Sequence, residues 1–175
     1  MRRQRNALAA LAVTLLVAAL PAAGSAQTQL NGTYTLNRQA SDDVASAINA
    51  TVARMNFITR PIARGRLRST NQPYQRVVIN YSPTQVSLAF DQRAPIVTPG
   101  NGTPTAWRRE DGETLQVSTE WENGRLEQTF RAEDGTREND FTLSEDGATL
   151  TMHVTITSPR LPQPLRYKLV YNRAS

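Results

Sequence analysis

The sequence predicts an all-β protein, an up-and-down antiparallel β-barrel of roughly 8–10 strands with one short helix between the first two. Two observations predict it. From Thr105 onward apolar and polar residues alternate, the period of a strand with one buried face. The alternation is broken at Asp111-Gly112, Asn123-Gly124, Asp134-Gly135 and Asp146-Gly147, whose glycines are spaced by 12, 11 and 12 residues, and such pairs favour turns that match strand twist. A sheet of that many strands with one apolar face must close or split to bury it.

In chain order, the first element is a short strand at Gly32-Thr33-Tyr34-Thr35-Leu36. Ser41-Asp42-Asp43 can then cap a helix, because Val44, Ala47, Ile48, Thr51, Val52 and Met55 recur at helical spacing as far as Asn56. No other segment shows that period. Val77, Ile79 and Tyr81 alternate, as do Val86, Leu88 and Phe90. A turn at Ser82-Pro83-Thr84 sets Tyr81 against Val86, Ile79 against Leu88 and Val77 against Phe90. Ala94 to Pro104, with three Pro and two Gly, reads as a longer loop.

A correct turn must pair apolar with apolar residues, so the meander's register can be read from its turns. Folding at Asn123-Gly124 sets Trp121 opposite Leu126 and Val117 opposite Phe130, with Glu122 beside Arg125. Folding at Asp134-Gly135 sets Leu126 opposite Leu143, Gln128 opposite Phe141 and Arg131 opposite Glu138. Folding at Asp146-Gly147 sets Leu143 opposite Leu150 and Phe141 opposite Met152. The first hairpin keeps its apolar face only with a loop of Glu110, Asp111 and a left-handed Gly112, which brings Trp107 opposite Leu115. Ser158 to Pro164 carries too many prolines for a ladder and reads as a connector. Leu165, Tyr167, Leu169 and Tyr171 make the last strand.

The cationic Met1-Arg2-Arg3-Gln4-Arg5, the apolar run from Ala7 to Leu20, Pro21 and the small residues to Ala26 read as a secretory signal peptide cleaved before Gln27. The run of about 14 residues is short of the ~20 that a membrane span needs. One domain over 27–175 is therefore expected in the periplasm or outside the cell, as a monomer without a transmembrane segment after cleavage. The net charge of +5 includes three Arg and no acid in residues 1–26, which leaves +2 for the rest and removes the argument for a nucleic-acid partner. The absence of Cys excludes a disulfide framework.

The opening Gly32-Thr33-Tyr34-Thr35-Leu36 with Ser41-Asp42-Asp43 resembles the Gly-x-Trp-x-Leu and Ser-Glu-Asn start of the intracellular fatty-acid-binding proteins, with Tyr34 in place of Trp. The order of strand, helix and meander is similar to the calycin group, which includes those proteins and the lipocalins. The chain also looks like secreted lipocalin-like bacterial proteins with a Gly-Thr-aromatic opening. The resemblance implies a barrel sealed at one end by Gly32 and Tyr34 and gated by residues 41–56. The family's Arg-x-Tyr pair for a ligand carboxylate is absent from the last strand, which reads Leu165-Arg166-Tyr167-Lys168. The resemblance therefore implies an apolar or amphipathic small-molecule ligand and not fatty-acid specificity.

Trp107, Trp121, Phe130, Phe141, Met152, Tyr167 and Tyr171 share the apolar face, and they line a ligand cavity if the barrel is roomy or form a plain core if it is tight. Arg64, Arg66 and Arg68 alternate, so a strand there would set three guanidinium groups on one face, toward a lipid headgroup, a membrane surface or an acidic glycan. Residues 44–90 hold six Arg and no acid. His153, the sole histidine, falls on the polar face opposite Asp140. It lacks a nucleophile or third ligand, and its outward direction argues against an axial haem role. The Glu-Asp-Gly turns are explained by turn chemistry rather than calcium. Glu120, Glu127 and Asp140 also fall on the polar face, where acids are usually just solvated. No catalytic residue, metal or cofactor is assigned. The function expected is binding or sequestering of an apolar or amphipathic molecule, and the alternative is a non-catalytic structural or protein-interaction domain of the cell envelope.

Overall fold

The structure is a computed structural model and describes residues 29–174. The leader expected over residues 1–26, and its cleavage point, lie outside the described residues. Ten strands form one antiparallel sheet in the order β4-β3-β2-β1-β10-β9-β8-β7-β6-β5. They are β1 (Gly32–Leu36), β2 (Arg76–Tyr81), β3 (Val86–Phe90), β4 (Ile96–Thr98), β5 (Thr105–Arg108), β6 (Thr114–Glu122), β7 (Arg125–Ala132), β8 (Gly135–Leu143), β9 (Thr149–Thr157) and β10 (Leu165–Arg173). Because β1 pairs with both β2 and β10, the meander curls back on itself. An isolated bridge between Asn101 and Glu120 helps to draw the free ends at β4 and β5 together, so the barrel is nearly closed.

Two helices, α1 (Val44–Val52) and α2 (Thr59–Thr70), lie between β1 and β2. The sequence pattern reveals only the first. Asp43 caps α1 by accepting from the Ala45 and Ser46 amides, and Val44, Ile48, Thr51 and Val52 are buried. No side chain of α2 is buried. Arg64, Arg66 and Arg68, three of its four arginines, are thus helical and do not share a face. Arg64 and Arg68 lie one turn apart, and Arg66 points away from them.

The pairs Trp121–Leu126, Val117–Phe130, Trp107–Leu115, Phe141–Met152, Leu143–Leu150 and His153–Asp140 form as expected, and so do the three between β2 and β3. The β7–β8 hairpin does not. Leu126 faces Phe141, Gln128 faces Asn139 and Arg131 faces Thr136, a shift of two residues from the expected register. The loop consists of Glu133 and Asp134, closed by the Ala132–Gly135 pair, and Gly135 opens β8 without a positive φ. By contrast, Asn123 (φ 50°), Gly124 (φ 80°) and Gly112 (φ 90°) take the left-handed conformations their turns demand. Within the expected 94–104 loop, Ile96–Thr98 forms β4 against β3.

The inner face is mostly apolar, interrupted by a buried row of Thr119, Gln128 and Asn139, and the outer face is charged. A cross-strand row of Glu120, Glu127, Asp140, His153 and Lys168 runs along the outside of β6 to β10. Among the described residues no helix is long and apolar enough to cross a membrane.

Candidate functional site

The barrel interior divides into two halves. One is filled, with Tyr34, Ile79, Leu88, Leu126, Phe141, Leu150, Met152, Leu169 and Tyr171 fully buried against one another. The other holds a cavity of ≈ 1040 Å³. Phe90 stands at the divide, its ring 6.5 Å from that of Phe141 on the filled side and 4.5 Å from that of Tyr74 on the cavity side.

Each wall of the cavity follows from strand alternation. Phe90, Ile96, Trp107, Leu115, Phe130 and Ile156 contribute apolar surface from β3, β4, β5, β6, β7 and β9, and the Trp107 and Phe130 rings meet edge-on at 5.9 Å. The roof is α2. Thr59, Ile62, Ala63, Arg66, Leu67 and Thr70 recur at helical spacing and all face the cavity. That spacing is the signal for α2 in the sequence. It is faint because the face it marks lies over open volume and not over a core.

Among the expected ligand-site residues, Trp107, Phe130 and Arg66 line the cavity. Trp121, Phe141, Met152 and Tyr167 do not: Phe141 and Met152 belong to the filled half, and Trp121 sits half-buried away from the cavity. Arg64 and Arg68 lie along α2 off the cavity, Arg68 donating to Asn49 Oδ1 at 3.5 Å.

The residue that the sequence pattern leaves unremarked is Arg137. It stands on β8, on the inner face, between the apolar Phe130 and Ile156 of the two neighbouring strands. Its Nε donates to Asn139 Oδ1 at 2.9 Å and its Nη1 to Asn71 Oδ1 at 2.9 Å. Asn71 Oδ1 also accepts from the buried Tyr167 hydroxyl at 3.1 Å, while Asn71 Nδ2 donates to Leu67 O at the end of α2. The guanidinium lies 5.9 Å from the centre of the Tyr74 ring. Every partner of Arg137 is neutral. Of the other cavity arginines, Arg66, Arg93, Arg109 and Arg160 each meet an acid, respectively Asp134, Glu110, Asp111 with Glu113, and Asp134, while Arg108 is exposed to solvent. Burial pushes the Tyr167 hydroxyl up from its ordinary pKa, partly offset by Arg137, so it stays a neutral donor at physiological pH.

The rim is latched by charge. Asp134, in the β7–β8 turn, is 3.3 Å from Arg66 on α2 and 3.3 Å from Arg160 in the β9–β10 connector. Across the mouth, Arg93 meets Glu110 at 3.3 Å. Among the described residues no group of three His, Cys, Asp or Glu is placed to hold a metal ion.

No family model and no curated protein sequence matches the chain. Solved structures do. A fatty acid binding protein of Schistosoma mansoni in complex with arachidonic acid aligns at 16% identity over 86% of this chain and 99% of that one, with a TM-score of 0.55. Human cRBP IV aligns at 18% identity over 83% and 98%, TM-score 0.53. A secretory abundant heat soluble protein of Ramazzottius varieornatus aligns at 7% identity over 84% and 96%, TM-score 0.60. At such identities the likeness is one of fold, a nearly closed antiparallel β-barrel.

Proposed function

We propose that this calycin-type barrel binds one amphipathic small molecule, with an anionic headgroup on Arg137 and an apolar body against Trp107, Phe130 and the underside of α2. The observation that carries the reading is the guanidinium of Arg137, held by neutral partners between Phe130 and Ile156, in a cavity of ≈ 1040 Å³ that combines an apolar wall with a charged rim. Removing a charge from water without a counter-charge is costly, and a cation held there by neutral partners is pre-set for an anion. A carboxylate, sulfate or phosphate monoester would gain charge-assisted hydrogen bonds from a group whose orientation Asn71 and Asn139 already fix. The volume suits a molecule of drug or lipid-chain size. The Schistosoma mansoni neighbour, of the same fold, holds arachidonic acid, which is a carboxylate on an apolar chain.

We place this activity outside the cytoplasm, on the strength of the leader-like pattern at residues 1–26. The reading is tested by native mass spectrometry and solvent extraction of the protein recovered from an exporting cell, together with displacement of a fluorescent apolar probe by a matched pair of acid and alcohol of equal chain length. The acid should displace the probe at roughly 10-fold lower concentration than the alcohol. Equal displacement by both would remove Arg137 from the site, and displacement by neither would leave the cavity without this function.

A further inference from the structure

We infer that the molecule held in the cavity carries two anionic groups, one at each end of an apolar body, and that Arg108 at the mouth receives the second. The inference rests on the proposed role of Arg137 and extends it to the other end of the ligand. Its basis is the charge of the lining, which holds six arginines and four acids. All four acids are engaged. Asp134 is shared by Arg66 and Arg160, Glu110 meets Arg93, and Asp111 and Glu113 meet Arg109. Those four arginines and four acids form a neutral set. The excess of two positive charges therefore belongs to Arg137 and Arg108, neither of which has an acid within ion-pair distance among the described residues.

The two cations bound one apolar strip. Arg137 is on the inner face of β8, fixed by Asn71 and Asn139. Arg108 closes β5, where it pairs with Thr114, and its guanidinium lies along the β5–β6 turn, with Nη2 3.6 Å from the place of a Cβ on Gly112. The strand order sets β5 and β8 three steps apart, so the two charges are on the order of 15 Å apart around the wall. Between them Phe130, Leu115 and Trp107 supply the surface from β7, β6 and β5, with the Trp107 and Phe130 rings in edge contact. An apolar strip with an unmatched cation at either end is complementary to an alkyl chain with a carboxylate at either end. The inner carboxylate gains buried, charge-assisted bonds, and the outer one stays hydrated beside the exposed Arg108. The excess charge of the lining also raises the local concentration of a dianion more than that of a monoanion.

The test is displacement of a fluorescent apolar probe by dodecanedioate and by ω-hydroxydodecanoate. These share chain length and one carboxylate and differ only in the charge of the far end. The diacid should bind roughly two- to fivefold tighter at low ionic strength, and the gap should close as NaCl reaches about 0.5 M. Arg108→Gln should abolish the preference and leave both the affinity for the hydroxy acid and the melting temperature unchanged, because Arg108 has no partner to lose. Arg131→Gln removes an exposed charge from β7 that does not line the cavity, and the preference should survive it. Equal affinities for the two ligands in the parent protein overturn the inference, and so does a preference that Arg131→Gln reduces as much as Arg108→Gln. If the ligands bind equally and Arg137→Met weakens both, the headgroup reading of Arg137 survives and only the second charge falls. If neither displaces the probe, both readings fall.

Discussion

Arg137 Nη1 donates to Asn71 Oδ1 at 2.9 Å, and through that one bond the charged group inside the barrel is joined to the C-terminal end of the helix that roofs it. Asn71 bonds back to Leu67 O on α2 and takes the Tyr167 hydroxyl from β10. Three elements distant in the chain therefore meet at one amide. An anion arriving at Arg137 would compete for the guanidinium with a residue that also secures the end of the roof.

Arg137→Met follows directly. The variant keeps the length and apolar contact of the side chain and removes the charge. Its unliganded stability should stay within about 1 kcal/mol of the parent, since a cation in an apolar wall with neutral partners contributes little net stability. Affinity for an anionic amphiphile should fall roughly 10- to 100-fold, while that for the matching alcohol should hardly move. Titration calorimetry with the two ligands reads both. An equal loss for acid and alcohol would make Arg137 a packing group only.

Asp134→Asn removes the shared counter-charge of Arg66 and Arg160 at the rim. Pairs this exposed are worth about 0.2–1 kcal/mol each, so global stability should change little. The effect should be local, because no side chain of α2 is buried and the latch is one of its few ties to the barrel. Amide hydrogen exchange in α2 should quicken roughly two- to fivefold with β7 to β10 unaffected. No change in α2 exchange would show that the pair does not hold the roof.

On the outside of the barrel, Glu127 faces Glu120 on one neighbouring strand and Asp140 on the other. Burial first, and then the Asp140 carboxylate, hold its pKa above the ordinary glutamate value despite the nearby Arg125. A carboxyl raised on folding favours the native state below its unfolded pKa and loses that favour as pH rises through the folded one. Glu127→Gln should therefore stabilise the protein at pH 7 by roughly 0.5 kcal/mol, about 1–2 °C in melting temperature. The gain should vanish as pH is lowered below the usual glutamate range. Melting curves across acid pH check the sign, and a gain that grows toward low pH would contradict it.

The two halves of the interior should answer truncation differently. Phe141→Ala opens a hole in the filled half and should cost about 3–5 kcal/mol. Phe130 already borders open volume and is only half-buried, so Phe130→Ala should cost roughly 1–2 kcal/mol. Chemical denaturation of both variants measures the contrast, and equal costs would mean that the cavity is not open in solution.

How far the sequence is legible depends on what each residue faces. Trp121–Leu126 and Phe141–Met152 can be read because both partners are apolar and a glycine-containing turn fixes the count between them. The second helix is hidden by its own composition: Pro61, Gly65 and four arginines dilute an apolar stripe that has only Ile62, Ala63 and Leu67. Arg137 was within reach, since strand alternation puts it in the same row as Asn139 and Phe141. A charge in an apolar row looks like an error in the alternation, and only the open volume beside it shows otherwise. The filled half could not be told from the cavity half, because periodicity reports facing and not depth.

The β7–β8 turn supplies the sharpest test of register. Asp134-Gly135 resembles the neighbouring Asn123-Gly124, and by analogy Gly135 would be a turn residue with free space around it. In the structure it is the first residue of β8, and a Cβ there would stand 2.6 Å from the backbone oxygen of Thr157 and 3.3 Å from Ser158 Cβ. Backbone cannot move aside as a side chain can, so Gly135→Ala should cost about 1–3 kcal/mol. Its melting temperature should fall by roughly 3–10 °C. At Gly124 nothing lies within 4 Å, and the only penalty for Ala is the φ of 80°, about 1 kcal/mol. Calorimetry of the two variants distinguishes the registers. If Gly135→Ala is no worse than Gly124→Ala, Gly135 lies in the turn, Leu126 returns to face Leu143, and Arg137 loses its place opposite Phe130.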